Sequence, residues 1–343
     1  MQRPVPTLRL LAARLDLSVA TVSEALRDSP RVRPATRERV KAEARRQGYV
    51  ANPLLGGALS AVRRSRHQRF RGLLALVDAA DGDPAHYLVF HQAVVAGARA
   101  RARELGFATE LFWLGSGEDA LPAARLPGVL RARGIGGVVL LPFHLPRDLS
   151  EFDFTGLAAV QMDHSVLRPR LHTVLPDHYV SMTNALERLA ARGYRRIGLC
   201  LQARKDERIL HKWSAAFHAF QRGTAGGSDS FALIRPEVDR RSFQTWARRV
   251  RPDVVLGHAA EIPRWLGEIG RRVPQEAGFV NLNLTEAERP CAGLDLGPGR
   301  LGAVAVETVA AMLHRRELGV PDDPQTIALE ARWVEGPTLR PPA

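Results

Sequence analysis

The chain has 343 residues, of which 45% are hydrophobic and 25% are charged, and only two of them are cysteines. This length predicts two or three globular domains, and so few cysteines exclude a disulfide scaffold. The apolar runs are too short for a membrane span, and the N-terminus lacks the apolar stretch of a secretory signal. We therefore expect a cytoplasmic protein with no membrane partner.

Positive charge is concentrated at the N-terminus. The net charge is +13, and residues 1–69 hold 15 basic and 5 acidic side chains, whereas the other residues have a net charge of only +3. A basic head on a nearly neutral body is typical of proteins that bind nucleic acid. The alternative is a solvated arginine-rich surface, because only three of the basic residues are lysines.

Residues 1–50 predict three short helices. Apolar residues recur at helical spacing after Thr7, which can cap a first helix over 8–15, and after Ser18, which can cap a second over 19–27. A third helix is expected over 34–47. The tight turn between the first two helices indicates a helix-turn-helix unit.

Residues 51–69 are expected to form a connector, which is a hinge helix followed by a basic linker. From 70 to 343, apolar strands alternate with amphipathic helices, which is typical of doubly wound parallel sheets, and the length favours two α/β lobes. The expected strands cover 72–78, 108–114, 137–142, 158–163, 196–201, 231–234, 253–257, 277–282, 292–296 and 327–333. The expected helices cover 90–105, 121–133, 178–192, 209–220, 242–251, 262–271 and 301–315.

Motif residues at fixed offsets run through the N-terminal region. They are Thr21-Val22-Ser23, Thr36-Arg37, Arg39-Val40, Gly48-Tyr49 and Asn52. With them, the whole chain resembles the LacI/GalR family of bacterial transcription regulators. The resemblance implies a repressor that binds double-stranded operator DNA as a homodimer on the nucleoid. It also implies two periplasmic-binding-protein-like lobes, with a small effector in the cleft that changes operator affinity.

The second helix is the expected recognition helix, because its first turn and a half would read base edges in the major groove. Val19 and Ala20 suit a thymine methyl group, and Glu24 can accept from cytosine N4. Two alternatives stay open: the hydroxyls cap the helix, and Glu24 pairs with Arg27 on the surface. The full set of expected head contacts to bases and phosphates is Thr7, Ser18, Val19, Ala20, Thr21, Ser23, Glu24, Arg27, Arg31 and Asn52.

The connector departs from the family pattern. The family's hinge helix inserts a leucine into the minor groove, and Ala58 aligns with that position, with Leu59 beside it. Gly56 and Gly57 precede it, and each costs a helix about 1 kcal/mol. We therefore expect the hinge helix to form only on DNA, with Leu59 as the wedge or with a weaker kink.

The ends of the body strands are expected to face the effector cleft. Trp213 aligns with the family's effector-binding arginine, and Arg208, five residues earlier, can restore that cation. Asn283 stands where sugar-binding members have an aspartate, so we expect a different effector of unknown identity, or none. The alternatives are core packing for Trp213 and helix capping for strand-end aspartates. The expected cleft residues are Asp78, His144, Asp163, Arg208, Trp213 and Asn283.

Motifs of enzymes do not occur in the sequence. It contains no P-loop, no HExxH and no G-x-S-x-G, and the glycines at 134–137 precede a strand instead of following one. We expect no cofactor and no metal. Two alternatives remain, a DNA-binding regulator that has lost its effector response and an enzyme on an α/β scaffold.

Overall fold

The computed structural model describes residues 8–26, 32–47, 72–79, 84–115, 120–224, 229–284 and 290–341. The chain divides into two units, Met1–Arg69 and Phe70–Ala343, which are described separately below. Within the described ranges, no helix is long and apolar enough to cross a membrane.

The N-terminal unit contains the three predicted helices, which are α1 (Leu8–Leu15), α2 (Val19–Ala25) and α3 (Pro34–Arg46). Asp16 lies in the turn between α1 and α2 in a left-handed conformation (φ 52°). Arg39 of α3 donates to the carbonyl oxygen of Leu15 at 2.7 Å and so fixes α3 to the end of α1. Small and branched side chains fill the core between them: Leu11, Ala12, Val22, Ala25, Val32, Val40 and Ala44.

The first lobe of the larger unit is built on a seven-stranded, all-parallel sheet in the order β14-β8-β6-β4-β1-β2-β3. Apolar clusters cover both faces of the sheet, as in a doubly wound fold. The strands are β1 Gly72–Ala79, β2 Phe107–Leu114, β3 Ala120–Leu121, β4 Gly137–Leu140, β6 Ala158–Met162, β8 His172–Pro176 and β14 Thr326–Leu329. The helices are Pro84–Glu104, Leu126–Ala132 and Pro298–Arg315. A two-stranded sheet, β5 Arg147–Asp148 with β7 Val166–Arg168, lies beside it in the chain.

The second lobe is built on a six-stranded sheet in the order β10-β9-β11-β12-β13-β15, in which only β15 is antiparallel. One large apolar cluster joins this sheet to its helices. The strands are β9 Ile197–Gln202, β10 Ala232–Arg235, β11 Val254–Gly257, β12 Gly278–Asn281, β13 Gly293–Asp295 and β15 Arg332–Val334. The helices are His178–Ala191, Ala203–Glu207, Lys212–Gly223, Arg240–Val250 and Ile262–Gly267.

The chain passes between the lobes three times: after β8, after β13, and between β14 and β15. Hydrogen bonds tie these crossovers together. Arg300 donates to the carbonyl oxygen of Glu330 at 2.5 Å, and Asn184 donates to the Glu330 side chain at 2.5 Å. The backbone N–H of Ala331 donates to Ser181 at 3.0 Å. These hydrogen bonds hold the three crossovers against one another.

Two helices of the first lobe are in backbone contact where glycines meet. A Cβ atom on Gly97 would collide with the carbonyl oxygen of Gly299, and one on Gly302 would collide with the carbonyl oxygen of Val94. Helix Pro298–Arg315 therefore packs against helix Pro84–Glu104 at a distance that only glycine permits. This contact anchors the segment that returns from the second lobe.

The structure corrects three of the expected elements and adds the strand β8. The strand expected over 327–333 is two strands, β14 and β15, one in each lobe. The strand β8 was not expected, because its sequence HTVLP has no apolar run. The helix expected over 121–133 begins only at Leu126, after the short strand β3. The helix expected over 209–220 begins at Lys212, after a separate short helix and a left-handed turn.

Candidate functional site

Arg208 of the second lobe reaches across to the strand ends of the first. Its Nη1 donates to the carbonyl oxygen of Phe143 at 2.9 Å, and its Nη2 donates to Oδ2 of Asp163 at 2.5 Å. Phe143 follows β4, and Asp163 follows β6. A second bridge joins Lys212 Nζ to Nε2 of His164 at 3.2 Å. The carboxyl ends of the two sheets therefore face one cleft, which is where ligands bind in open α/β folds.

The segment that carries Arg208 and Lys212 is held by a buried carboxylate. Asp206 Oδ2 accepts from the Ser214 hydroxyl at 2.6 Å and lies 3.3 Å from Nδ1 of His211. The Asp206 carbonyl oxygen accepts the N–H of His211 at 2.8 Å. Leu210 and His211 both adopt the left-handed conformation (φ 58°). This turn separates helix Ala203–Glu207 from helix Lys212–Gly223, and the cations on either side of it, Arg208 and Lys212, both contact the first lobe.

Asp163 is a buried carboxylate with one free oxygen. Burial by itself raises the pKa of this carboxyl, but the positive charge of Arg208 and its neighbours outweighs that effect, and the net pKa lies below the ordinary value. Oδ2 is bound to Arg208, whereas Oδ1 is buried with no hydrogen-bond partner in the described part of the chain. Because an unpaired buried acceptor is costly, Oδ1 is a suitable acceptor for a ligand hydroxyl.

Three histidines, two of them near Asp163 and the third near His178, are held in the neutral form. Burial lowers the pKa of His178 to about 4 and that of His258 to about 3. Burial also lowers the pKa of His164, the histidine bridged to Lys212. Nδ1 of His178 is buried and finds no hydrogen-bond partner within the described ranges. These imidazoles offer polar but uncharged atoms to the cleft.

The structure thus brings two of the six expected cleft residues, Asp163 and Arg208, into direct contact. Trp213 is only 1% exposed and belongs to the core of the second lobe. Its ring packs edge-on against His178, with centroids 4.6 Å apart, and lies 6.4 Å from the ring of His258. Trp213 therefore packs against His178, and lies near His258, from the core of the second lobe.

The other three expected cleft residues make no contact with Arg208 in the described hydrogen bonds. Asp78 is buried, with Oδ2 2.7 Å from Nε2 of His91 and Oδ1 accepting the N–H of Ala79. His144 is half-buried next to Phe143. Asn283 is half-buried, and its backbone N–H donates to Asn281 at 2.9 Å.

Sequence reasoning missed several residues of this site: His164, His178, Lys212 and Asn281. His178 was missed together with β8, the strand that precedes it. Lys212 was placed inside a helix that in fact begins there. Asn281 ends β12, is buried, and has an Nδ2 with no partner among the residues that the structure describes. Its place at the end of β12 is the sequence signal that could have identified it, two positions before Asn283.

In the head, Ser18 is the N-cap of α2, in agreement with the alternative that hydroxyl side chains cap this helix. Its Oγ accepts the N–H of Thr21 at 3.0 Å and lies 2.8 Å from the Thr21 hydroxyl. Val19 is 40% exposed, and Glu24 is half-exposed on the same helix. The side chains of Ala20 and Ser23 are outside what the structure describes, as are residues Thr7, Arg27, Arg31, Asn52, Ala58 and Leu59.

Comparison with known proteins identifies the same architecture. Residues 7–52 match the family model "Bacterial regulatory proteins, lacI family", and residues 186–339 match "Periplasmic binding protein-like domain". The chain is 30% identical to the HTH-type transcriptional regulator CelR of Thermobifida fusca over 360 aligned positions, which cover 97% of this chain and 98% of CelR. It belongs to the LacI family of bacterial transcription regulators. As a LacI-family member it is a DNA-binding regulator, and the alternative of an α/β enzyme is set aside.

Solved structures of the family share this fold. A complex of the regulator CelR with cellobiose has a TM-score of 0.56 at 23% identity and covers 97% of this chain and 99% of its own. The Lac repressor dimer bound to operator and the anti-inducer ONPF has a TM-score of 0.56 at 18% identity, covering 97% and 98%. Both confirm a helix-turn-helix head with a two-lobed core.

Proposed function

We propose that this LacI-family regulator is a homodimeric repressor on the nucleoid, and that a neutral sugar bound at Asp163 and His178 changes its operator affinity. A dimer places two heads on the two half-sites of an operator. The lobes then act as the sensor. This assignment deepens the family function with a site and a ligand class.

The observation that supports the site is the pair of unsatisfied buried atoms, Asp163 Oδ1 and His178 Nδ1. The two side chains are close enough that each shifts the pKa of the other. A ligand hydroxyl can donate to the carboxylate oxygen, and a second hydroxyl can bond to the imidazole nitrogen. Buried polar atoms of a protein are normally paired, so a ligand that pairs both would gain affinity.

The charges around these atoms favour a neutral ligand. Arg208 pairs with the carboxylate of Asp163 and balances its charge, and His178 is uncharged at neutral pH because burial lowers its pKa to about 4. A polyhydroxylated molecule supplies donors and acceptors without charge. The binding of cellobiose by the relative CelR makes a glucose disaccharide the first compound to test.

The test is thermal unfolding of the full chain with cellobiose, glucose or glucose 6-phosphate. At about a hundredfold excess over its Kd, a bound sugar stabilises the fold by about 2.7 kcal/mol, or several degrees in Tm. Asp163→Asn should abolish the shift. Asp153→Asn, which removes an exposed carboxylate from the same lobe, should retain it. No shift with any neutral sugar would contradict the ligand class and favour a regulator without effector response.

For the head we propose that the exposed face of α2 reads the operator. Val19 would contact a thymine methyl group, and Glu24 would accept from cytosine. In a selection from randomised DNA, Glu24→Gln should relax the preference at one base pair in each half-site by about 1–3 kcal/mol. An unchanged preference would make Glu24 a surface residue.

A further inference from the structure

We propose that Arg208 is a latch that keeps the two lobes closed before any effector binds, and that the effector acts by taking Asp163 from it. The proposal rests on the cleft being the effector site, as argued above. It adds how that site is regulated: closure is the resting state, and ligand binding competes with an interaction inside the protein.

Arg208 makes two hydrogen bonds across the cleft. One guanidinium occupies a carboxylate oxygen of Asp163 and the carbonyl oxygen of Phe143. Arginine suits this role because its planar fork donates to two acceptors at once. The bridge from Lys212 to His164 adds a third bond from the same segment. All three bonds join the second lobe to the first.

The segment that carries Arg208 is fixed in place within its own lobe. Asp206 is 1% exposed and bonds the Ser214 hydroxyl and the His211 backbone. Ile209, next to Arg208, is 4% exposed in the core of the second lobe. A side chain presented by a fixed turn loses less freedom when it forms a bond, which strengthens that bond.

Arg208 and an effector would compete for hydrogen-bond acceptors of the first lobe. Arg208 bonds Oδ2 of Asp163 and the Phe143 carbonyl oxygen, so a ligand that binds at the free Oδ1 and also uses either of these acceptors competes with Arg208. A ligand that prefers an already populated closed state shifts the equilibrium little. An effector can therefore change the lobe arrangement strongly only if it displaces Arg208.

The size of the effect follows from burial. The Asp163 side chain is 7% exposed and that of Arg208 is 31% exposed. Removing one partner of a buried charge pair is strongly destabilising, whereas an exposed pair contributes little. In this pair Asp163 is buried and Arg208 is partly exposed, so an intermediate effect is expected. We expect the ratio of closed to open lobes to fall about 10- to 100-fold when Arg208 is removed.

The experiment measures the distance between the lobes without any ligand. Spin labels are attached at Glu151→Cys in the first lobe and Glu261→Cys in the second, both exposed positions. The native cysteines are buried, and burial raises the pKa of Cys200 to about 12, so they resist labelling. The labelled full-length chain, mixed with excess unlabelled chain so that each dimer carries one labelled protomer, is compared with Arg208→Met, and with Arg204→Met as a matched control on the same segment, where Arg204 is exposed.

We expect one short distance in the parent and in Arg204→Met, and a second, longer distance in Arg208→Met. Arg208→Lys should lie between them, because lysine keeps the charge but cannot donate in two fixed directions. Far-ultraviolet circular dichroism establishes that each variant is folded. An Arg208→Met variant that is folded and gives the parent distance distribution would overturn the latch.

Measurements with cellobiose distinguish a failure of the latch proposal from a failure of the proposed ligand class. If sugar binding shifts the Tm but Arg208→Met leaves the distances unchanged, the latch is wrong and the sugar site stands. If Arg208→Met opens the lobes but no sugar binds, the latch stands and the ligand class is wrong. Added sugar that binds and lengthens the parent distance supports displacement of Arg208, whereas sugar that binds and leaves the short distance in place contradicts it.

Discussion

Acidification should destabilise the core of this regulator through His178. The pKa of this histidine falls from an ordinary 6.5 to about 4 in the folded protein because the ring is buried. Between pH 6.5 and 4 the unfolded chain therefore binds a proton that the folded chain does not. The contribution of His178 to the free energy of unfolding is fully present above pH 6.5. It falls as the pH drops through that window and levels off below about pH 4.

The magnitude follows from the size of the shift. One pKa unit is worth about 1.4 kcal/mol, so the full window corresponds to about 3 kcal/mol. By pH 5, about 2 kcal/mol of that is already lost. His178→Gln removes the titrating group, so the variant should lose about 2 kcal/mol less than the parent between pH 7.5 and pH 5.

The assay is urea unfolding followed by tryptophan fluorescence at the two pH values. All five tryptophans lie beyond residue 69, so the signal reports on the lobes and not on the head. His314→Gln, the same substitution at an exposed position, controls for the loss of a histidine as such. Parallel pH dependences for the parent and His178→Gln would refute the assignment of a buried, neutral His178.

Three further predictions test packing, capping and the hinge. Gly302→Ala should destabilise the core by about 3 kcal/mol in urea unfolding, because the new Cβ atom would meet the backbone of the neighbouring helix. The control Gly128→Ala, whose Cβ atom would meet nothing within 4 Å, should be neutral or stabilising by up to about 1 kcal/mol. Ser18→Ala should lower head stability by about 1 kcal/mol in thermal unfolding monitored by head resonances, since the cap of α2 is lost; an unchanged transition would contradict the cap. The connector lies outside the described residues. Replacing both Gly56 and Gly57 with alanine should tighten operator binding by up to about 2 kcal/mol in a gel-shift titration, because alanine favours the hinge helix. Equal affinity would mean that the connector is only a tether.

The sequence alone determined the head and most of the lobes. Local signals suffice there: Ser18 marks the start of α2, apolar spacing marks α1 and α3, and buried parallel strands are continuous apolar runs such as 137–141. The family resemblance followed from short motifs in the same local regions. Asp163 and Arg208 were also expected in the cleft, one from its place at a strand end and the other as a replacement cation.

The tertiary structure decided which residues meet in the cleft. Arg208 and Asp163 are 45 positions apart and lie in different lobes, so no local pattern predicts their bond. The turn that presents Arg208 depends on the buried carboxylate of Asp206, which overrides the helical spacing of the residues that follow. The division of residues 326–334 between two sheets is likewise set by the crossover between lobes, because a continuous apolar pattern does not say which sheet each half will join.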